Sequence, residues 1–295
     1  MTRPMVPVTT AFKGVAGNQL VADVYGDSGD PVMLLHGGGQ TRHAWRKTAV
    51  QIARAGRKAY AVDQRGHGDS EWIADGDYAF SAFAGDARAV ADAIAEQTGR
   101  RPITIGASLG GVASLLAEGA AEDEDTNAFS ALVLVDITPR VDLSGVAKVQ
   151  GFMSAHAREG FASVEEAAEA VARYLPHRPK PRSREGLKKN LRLSPDGRWR
   201  WHWDPRFIET RAGADTFRHE VEAALLAAAR KIRIPALLVR GGSSELVREA
   251  HAREFLELVP HAEMADVSGA RHMVAGDQND AFGAAILDFL DRLPA

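Results

Sequence analysis

One serine stands in a sequence setting that favours nucleophilic chemistry. Ser108 lies within Gly106-Ala107-Ser108-Leu109-Gly110, which follows the apolar run Ile103 to Ile105 and precedes a helix-like stretch. Small residues on both sides allow a sharp strand-to-helix turn that exposes the hydroxyl. The N-terminus of the following helix favours developing negative charge. The pattern predicts a nucleophile elbow at Ser108, and a tight glycine turn with an incidental serine is the alternative.

A glycine-rich turn could supply the donors that acyl transfer at Ser108 requires. His36-Gly37-Gly38-Gly39 directly follows the apolar run Val32 to Leu35. A tetrahedral oxyanion needs two fixed N–H donors, and we predict that they come from Gly38 and Leu109. A turn that merely reverses the chain is the alternative. Three further residues are expected to border the substrate: His36, Gly37 and Ala107.

The general base is expected late in the chain, in the order serine, acid, histidine. Of the ten histidines, His272 follows a strand-like stretch, Ala262 to Val267, and a short turn, and it precedes a helical run at the C-terminus. A lone histidine is usually a surface or core residue. The chain order and the loop position nevertheless identify His272 as the predicted base.

Two carboxylates compete for the role of the acid. Glu245 lies just past the apolar run Ala236 to Val239, where its carboxylate could accept the Nδ1–H of His272 and stabilise the imidazolium. Glu245 is the preferred acid, and the alternative interpretation is that it is a solvated glutamate in a loop. Asp136 ends the apolar run Ala131 to Val135 and is the rival, because the carboxyl ends of strands line α/β active sites.

Alternating apolar runs and amphipathic stretches must position these residues. This alternation predicts an α/β fold with a mostly parallel sheet and helices on both faces. The five strand candidates are nearly continuous in apolar residues, as doubly covered strands are: Val32 to Leu35, Ala59 to Val62, Ile103 to Ile105, Ala131 to Val135 and Ala236 to Val239. An edge hairpin broken at Gly17-Asn18, a helix from Ser81 that stops at Gly99, and a helix through Phe282 and Leu290 complete the prediction.

Residues 139–216 break the alternation and are mostly helical by pattern, with a capping box at Ser163 and Glu166. We interpret them as a helical cap inserted into a core of residues 1–138 and 217–295. Three alternating tryptophans could line an apolar pocket, although packing within the cap or a small hairpin is at least as plausible: Trp199, Trp201 and Trp203. The basic stretch His177 to Arg192 is interpreted as solvated surface rather than an anion site.

Composition excludes several classes of function. The 295 residues are 45% hydrophobic and 25% charged with a net charge of −3, which gives no reason to expect nucleic-acid binding. The chain has no cysteine, so a cysteine nucleophile and thiolate metal sites are excluded. No signal-like N-terminus or membrane-length apolar run is present. We expect a cytoplasmic monomer or homodimer that acts on a small molecule without a metal or cofactor.

Four motifs together resemble the α/β-hydrolase superfamily, specifically its bacterial members with a helical cap. Besides the elbow and the glycine-rich turn, Asp63 to Ser70 is similar to the family's D-x-R-G-x-G-x-S signature and Gly269 to His272 to its G-x-x-H ending. The resemblance implies a sheet of about eight strands, and Asp63 to Ser70 is then a supporting turn. The chain departs from the family at Glu245, where aspartate is usual, and at Ala107, where many relatives carry a larger residue.

The resemblance implies a cofactor-independent serine hydrolase, with an ester or lactone of a small, mostly apolar compound as the leading substrate. Carbon–carbon bond hydrolysis of a diketone and perhydrolysis are alternatives that use the same triad. A non-catalytic receptor and a cofactor-free oxygenase are more distant alternatives. Dehalogenation and epoxide hydrolysis are disfavoured because relatives with those activities use aspartate at the position of Ser108.

Overall fold

A computed structural model describes residues 5–176, 184–209, 215–272 and 279–294. Its first two strands form the predicted hairpin, with Phe12 opposite Leu20. In chain order, the strands are β1 (Val8–Lys13), β2 (Gln19–Tyr25), β3 (Pro31–Leu35), β4 (Lys58–Val62), β5 (Ile103–Ala107), β6 (Ala131–Val135), β7 (Leu191–Leu193), β8 (Trp199–Trp201), β9 (Ala236–Gly241) and β10 (Glu263–Val267).

Eight of these strands form one sheet in the order β1-β2-β4-β3-β5-β6-β9-β10. Strand β2 runs antiparallel to β1 and β4, and every other neighbouring pair is parallel. The predicted fold class is therefore confirmed. Because β5, β6 and β9 are parallel neighbours, their carboxyl ends meet at one edge of the sheet. Ser108 follows β5, and Asp136 follows β6.

Helices cover both faces of the sheet. In chain order, they are α1 (Arg46–Arg54), α2 (Phe80–Thr98), α3 (Leu109–Gly119), α4 (Leu143–Ala155), α5 (Val164–Tyr174), α6 (Glu185–Lys188), α7 (Arg206–Glu209), α8 (Asp215–Lys231), α9 (Glu249–Leu258) and α10 (Asn279–Arg292). Helices α2, α3 and α8 pack in the core on one face, and α1 and α10 pack on the other. Helix α2 ends at Gly99, whose positive φ of 73° closes the last turn as predicted. No helix among the described residues is long and apolar enough to cross a membrane.

The described residues between β6 and α8, residues 139–176 and 184–209, are called the insertion below. They contain α4 to α7 and add no strand to the large sheet. Strands β7 and β8 form a separate two-stranded sheet, with Leu191 opposite Trp201. Helix α5 is capped by Ser163, whose Oγ accepts a hydrogen bond from the Glu166 N–H at 3.1 Å. Much of the predicted basic stretch, residues 177–183, lies outside the described residues, as do residues 210–214 of the predicted cap.

A buried ion pair fixes the Asp63 to Ser70 segment to the core. Arg65 donates from Nε and Nη2 to the two carboxylate oxygens of Asp86 on α2, at 2.6 and 2.8 Å. The side chains are only 1% and 6% exposed. The Val15 N–H of the β1–β2 turn also donates to Asp86, at 2.9 Å. This carboxylate therefore joins two segments to α2, since each of them donates a hydrogen bond to it.

This arrangement predicts that Asp86→Asn lowers the free energy of unfolding by about 3–5 kcal/mol, because it leaves the Arg65 charge buried without a counter-charge. Urea denaturation followed by circular dichroism measures the loss. Asp92→Asn is the matched control, since Asp92 on the same helix pairs with Arg88 and Arg101 at a partly exposed site, and it should cost less than about 1 kcal/mol. Equal losses in the two variants would contradict the assignment.

Candidate active site

Ser108 occupies a strained turn between β5 and α3. Its φ of 46° and ψ of −110° lie in a region that residues other than glycine rarely adopt. The turn is held by a hydrogen bond of 3.2 Å from the Ser108 N–H to the Val135 carbonyl of the next strand. It is also tightly packed, because a Cβ on Gly110 would stand 2.3 Å from the Leu35 carbonyl oxygen. The geometry presents the serine at the N-terminus of a helix, where developing negative charge is stabilised.

The glycine-rich turn lies directly against this serine. A Cβ on Gly37 would be 3.5 Å from the Ser108 Cβ, and the Gly110 N–H donates to the His36 carbonyl at 3.2 Å. The Gly37 N–H is occupied by Gln40 Oε1, and the Gly39 N–H by His67 Nε2, both at 3.1 Å.

Two N–H groups stay available beside Ser108. Those of Gly38 and Leu109 donate to no acceptor within the part of the chain that the structure describes. They are the two groups that the sequence predicted as oxyanion donors.

The side chain of His36 is hydrogen-bonded to the backbone of the glycine-rich turn and of the Asp63 to Ser70 segment. It is fully buried, its Nδ1–H donates to the Gly37 carbonyl at 2.8 Å, and its Nε2 accepts from the Gln64 N–H at 3.1 Å. Burial lowers the pKa of His36, which keeps the ring neutral. Both ring nitrogens are bonded to the backbone, and the expectation that His36 borders the substrate stays a prediction.

Asp136 receives the hydrogen bond of His272. The Nδ1–H of His272 donates to Asp136 Oδ2 at 2.8 Å, and the ring's Nε2 lies on the far side from the carboxylate. Asp136 is fully buried, and such a charge is costly unless its oxygens are hydrogen-bonded. Two further donors meet this need: the Ser244 hydroxyl, 2.5 Å from Oδ2, and the Gly241 N–H, 2.9 Å from Oδ1.

Glu245, the preferred acid in the sequence, is bonded elsewhere. Its Oε1 accepts from the Arg271 guanidinium at 3.1 Å and lies 3.8 Å from the Lys148 Nζ. Partial burial raises the pKa of Glu245, but hydrogen bonds from its own N–H, Arg271 and the His272 N–H outweigh it, so that the pKa is lowered.

The expected bond from His272 Nδ1 to Glu245 is therefore replaced by the bond to Asp136, which corrects the preferred acid. The physical reason lies in the loop after β9. A turn closed by the Ser244 N–H and the Gly241 carbonyl, 2.9 Å apart, presents Ser244 rather than Glu245 to Asp136.

Three side chains of the insertion lie against the glycine-rich turn. The Phe207 Cζ lies 3.1 Å from the position of a Cβ on Gly38. The Met153 Cε and the Trp203 Nε1 lie 2.8 and 3.6 Å from the corresponding position on Gly39. These contacts bring apolar surface from the insertion next to the predicted oxyanion donors.

The three tryptophans that were predicted to line a pocket therefore differ in what they contact. Only Trp203 has a described contact with the glycine-rich turn. Trp201 is buried and packs edge-on against Phe152 and Phe161, and half-buried Trp199 pairs with Phe161 through the backbone. The structure places these two in the insertion's own core, which favours the packing interpretation over a role in lining the pocket. Ala107 stands half-buried at the end of β5.

Sequence reasoning did not assign a role at the site to five residues: Gln40, His67, Met153, Phe207 and Ser244. His67 belongs to a recognised motif, and Ser244 is the neighbour of Glu245, so these two carried a local signal. No sequence pattern around Met153 or Phe207 indicates a role at the site, because their contacts with the turn arise only when the insertion folds over it. Among the described residues, no group of three or more His, Asp or Glu side chains is arranged to hold a metal ion.

Comparison with known proteins agrees with this fold. A family described as alpha/beta hydrolase fold matches residues 30–277. The esterase Rv0045c of Mycobacterium tuberculosis is 30% identical over 274 residues, which cover 90% of this chain and 85% of the esterase. A crystal structure of that esterase superposes with a TM-score of 0.75 at 28% identity and covers 99% of this chain and 94% of its own.

An E-2-(acetamidomethylene)succinate hydrolase has a TM-score of 0.81 at 23% identity, with coverage of 97% of this chain and 99% of its own. At this identity the likeness concerns the fold alone. The family match over most of the chain, together with the esterase relative, shows that the chain belongs to the alpha/beta hydrolase fold family of hydrolases.

Proposed function

We propose that this protein is a serine esterase in which Ser108 is the nucleophile, His272 the general base and Asp136 the acid. The observation that carries the proposal is the hydrogen bond from His272 Nδ1 to buried Asp136, at the sheet edge where Ser108 occupies its strained turn. Asp136 fixes the tautomer that leaves Nε2 unprotonated, and it stabilises the imidazolium.

In the proposed reaction, the Ser108 Oγ attacks the ester carbonyl carbon while His272 Nε2 takes the hydroxyl proton. The carbonyl electron pair moves to the oxygen, which the Gly38 and Leu109 N–H groups stabilise as an oxyanion. Collapse of this intermediate breaks the bond to the alcohol oxygen, which receives the proton from His272. Water then hydrolyses the acyl-enzyme by the same steps and restores the serine.

Two observations support a small, mostly apolar ester. The insertion brings Phe207, Met153 and Trp203 against the glycine-rich turn, and all three side chains are buried and apolar in body. The insertion thus serves as a cap over the site. The esterase relative favours an ester over a diketone or a peracid, which the same residues could also process.

A covalent probe tests the nucleophile. We expect the wild type to gain the mass of a single fluorophosphonate adduct and Ser108→Ala to gain none, because only an activated serine attacks phosphorus at a useful rate. Intact mass spectrometry reads the adduct. Ser154→Ala, at an exposed serine of α4, is the control and should be labelled like the wild type. An adduct retained in Ser108→Ala would refute the assignment of Ser108.

A pair of variants tests the acid. Asp136→Asn should lower kcat for p-nitrophenyl acetate by about 10⁴-fold, because an amide at this position favours the wrong histidine tautomer. Glu245→Gln should lower kcat by less than about tenfold, since Glu245 contacts the loop of His272 and not its ring nitrogen. The opposite ranking of the two variants would restore Glu245 as the acid.

A further inference from the structure

His67 has a contact that its place in a supporting turn does not explain. It lies within the Asp63 to Ser70 segment and is fully buried. Its Nε2 accepts the Gly39 N–H at 3.1 Å, and its Nδ1 lies 2.9 Å from the Arg65 carbonyl oxygen. Both ring nitrogens are thus bonded to backbone groups, one of them in the turn beside Ser108.

These partners determine the protonation of the ring. A carbonyl oxygen can only accept, so Nδ1 carries the proton, and an N–H can only donate, so Nε2 offers its lone pair. Three rings hold the imidazole in place. Phe207 packs edge-on at 4.7 Å between centroids, His36 lies at 5.1 Å and Phe83 at 6.4 Å. The acceptor is therefore fixed in position as well as in tautomer.

The turn needs such an anchor because it contains three successive glycines. Glycine has the greatest backbone freedom of all residues, and Gly39 has a φ of 76°, which favours glycine. Gln40 binds the Gly37 N–H, and His67 binds the Gly39 N–H. With both neighbours held, the Gly38 N–H is fixed between them. An oxyanion donor is effective when it is oriented before the reaction begins.

We propose that His67 is a positioning residue that, as a neutral acceptor for the Gly39 N–H, orients the Gly38 N–H towards the oxyanion. This inference rests on the proposed esterase function. His67 does not touch the substrate and acts through the turn. Substitution should therefore weaken binding of the transition state and leave binding of the ester nearly unchanged.

Two substitutions of His67 test its two hydrogen bonds separately. His67→Gln keeps an acceptor near the position of Nε2, and His67→Asn keeps a donor near the position of Nδ1 but is too short to reach Gly39. Phe83→Leu is the packing control, because Phe83 contacts the same ring and donates no hydrogen bond to the turn. The readouts are the fluorophosphonate labelling rate and the kcat and KM for p-nitrophenyl acetate, with thermal unfolding as a check of the fold.

We expect His67→Asn to lower kcat and the labelling rate about 100-fold with KM changed less than about threefold, as for a lost oxyanion donor. His67→Gln should stay within about tenfold of the wild type, and Phe83→Leu within about threefold. Normal labelling of His67→Asn would overturn the inference. Equal loss in His67→Asn and His67→Gln, or in Phe83→Leu, would also overturn it, because the acceptor would then not be the cause.

Imidazole ¹⁵N NMR of the wild type gives a measurement that needs no variant to fold. A neutral His67 protonated at Nδ1 is expected, and protonation at Nε2 would overturn the inference. The proposed function fails separately, since a wild type that takes no fluorophosphonate at Ser108 refutes it before any His67 variant is compared.

Discussion

The hydrogen bonds that converge on Asp136 join three segments that are distant in the chain. The carboxylate follows β6, accepts from Gly241 at the end of β9 and from Ser244 after it, and accepts from His272 after β10. A buried carboxylate without these donors would be costly. The energetic need to satisfy this charge therefore holds the loops after β9 and β10 against the carboxyl end of β6. The loops are also joined to each other, since the Ser243 N–H donates to the Ala270 carbonyl at 2.9 Å.

Backbone strain accompanies this constraint. Ser108 and Asp136 are the only non-glycine residues with positive φ in the described part of the chain, at 46° and 50°. They end adjacent parallel strands, and each is held by its N–H, to Val135 at 3.2 Å and to Val239 at 2.8 Å. Such conformations cost on the order of 1–3 kcal/mol each and persist only where the surroundings fix them. The strain is concentrated at the two residues that we assign to the nucleophile and the acid.

The sequence predicted the features that depend on local patterns. Continuous apolar runs identified the buried strands, and glycine spacing identified the turns at Ser108 and Gly38, because a close backbone approach needs small residues. The choice between Asp136 and Glu245 depended instead on how far each side chain reaches after the loop beyond β9 has folded. The turn that presents Ser244 to Asp136 has no distinctive sequence pattern. The contacts of Phe207 and Met153 likewise depend on how the insertion packs, which the local periodicity of apolar residues does not predict.

Low-field ¹H NMR directly observes the Nδ1 proton of His272, which Asp136 holds. A proton shared between imidazole and a buried carboxylate is strongly deshielded, and His272→Gln identifies its resonance by removing it. We expect the resonance in the wild type and in Glu245→Gln, and its absence from Asp136→Asn, if Asp136 is the partner of His272. A resonance that persists in Asp136→Asn and disappears in Glu245→Gln would contradict it.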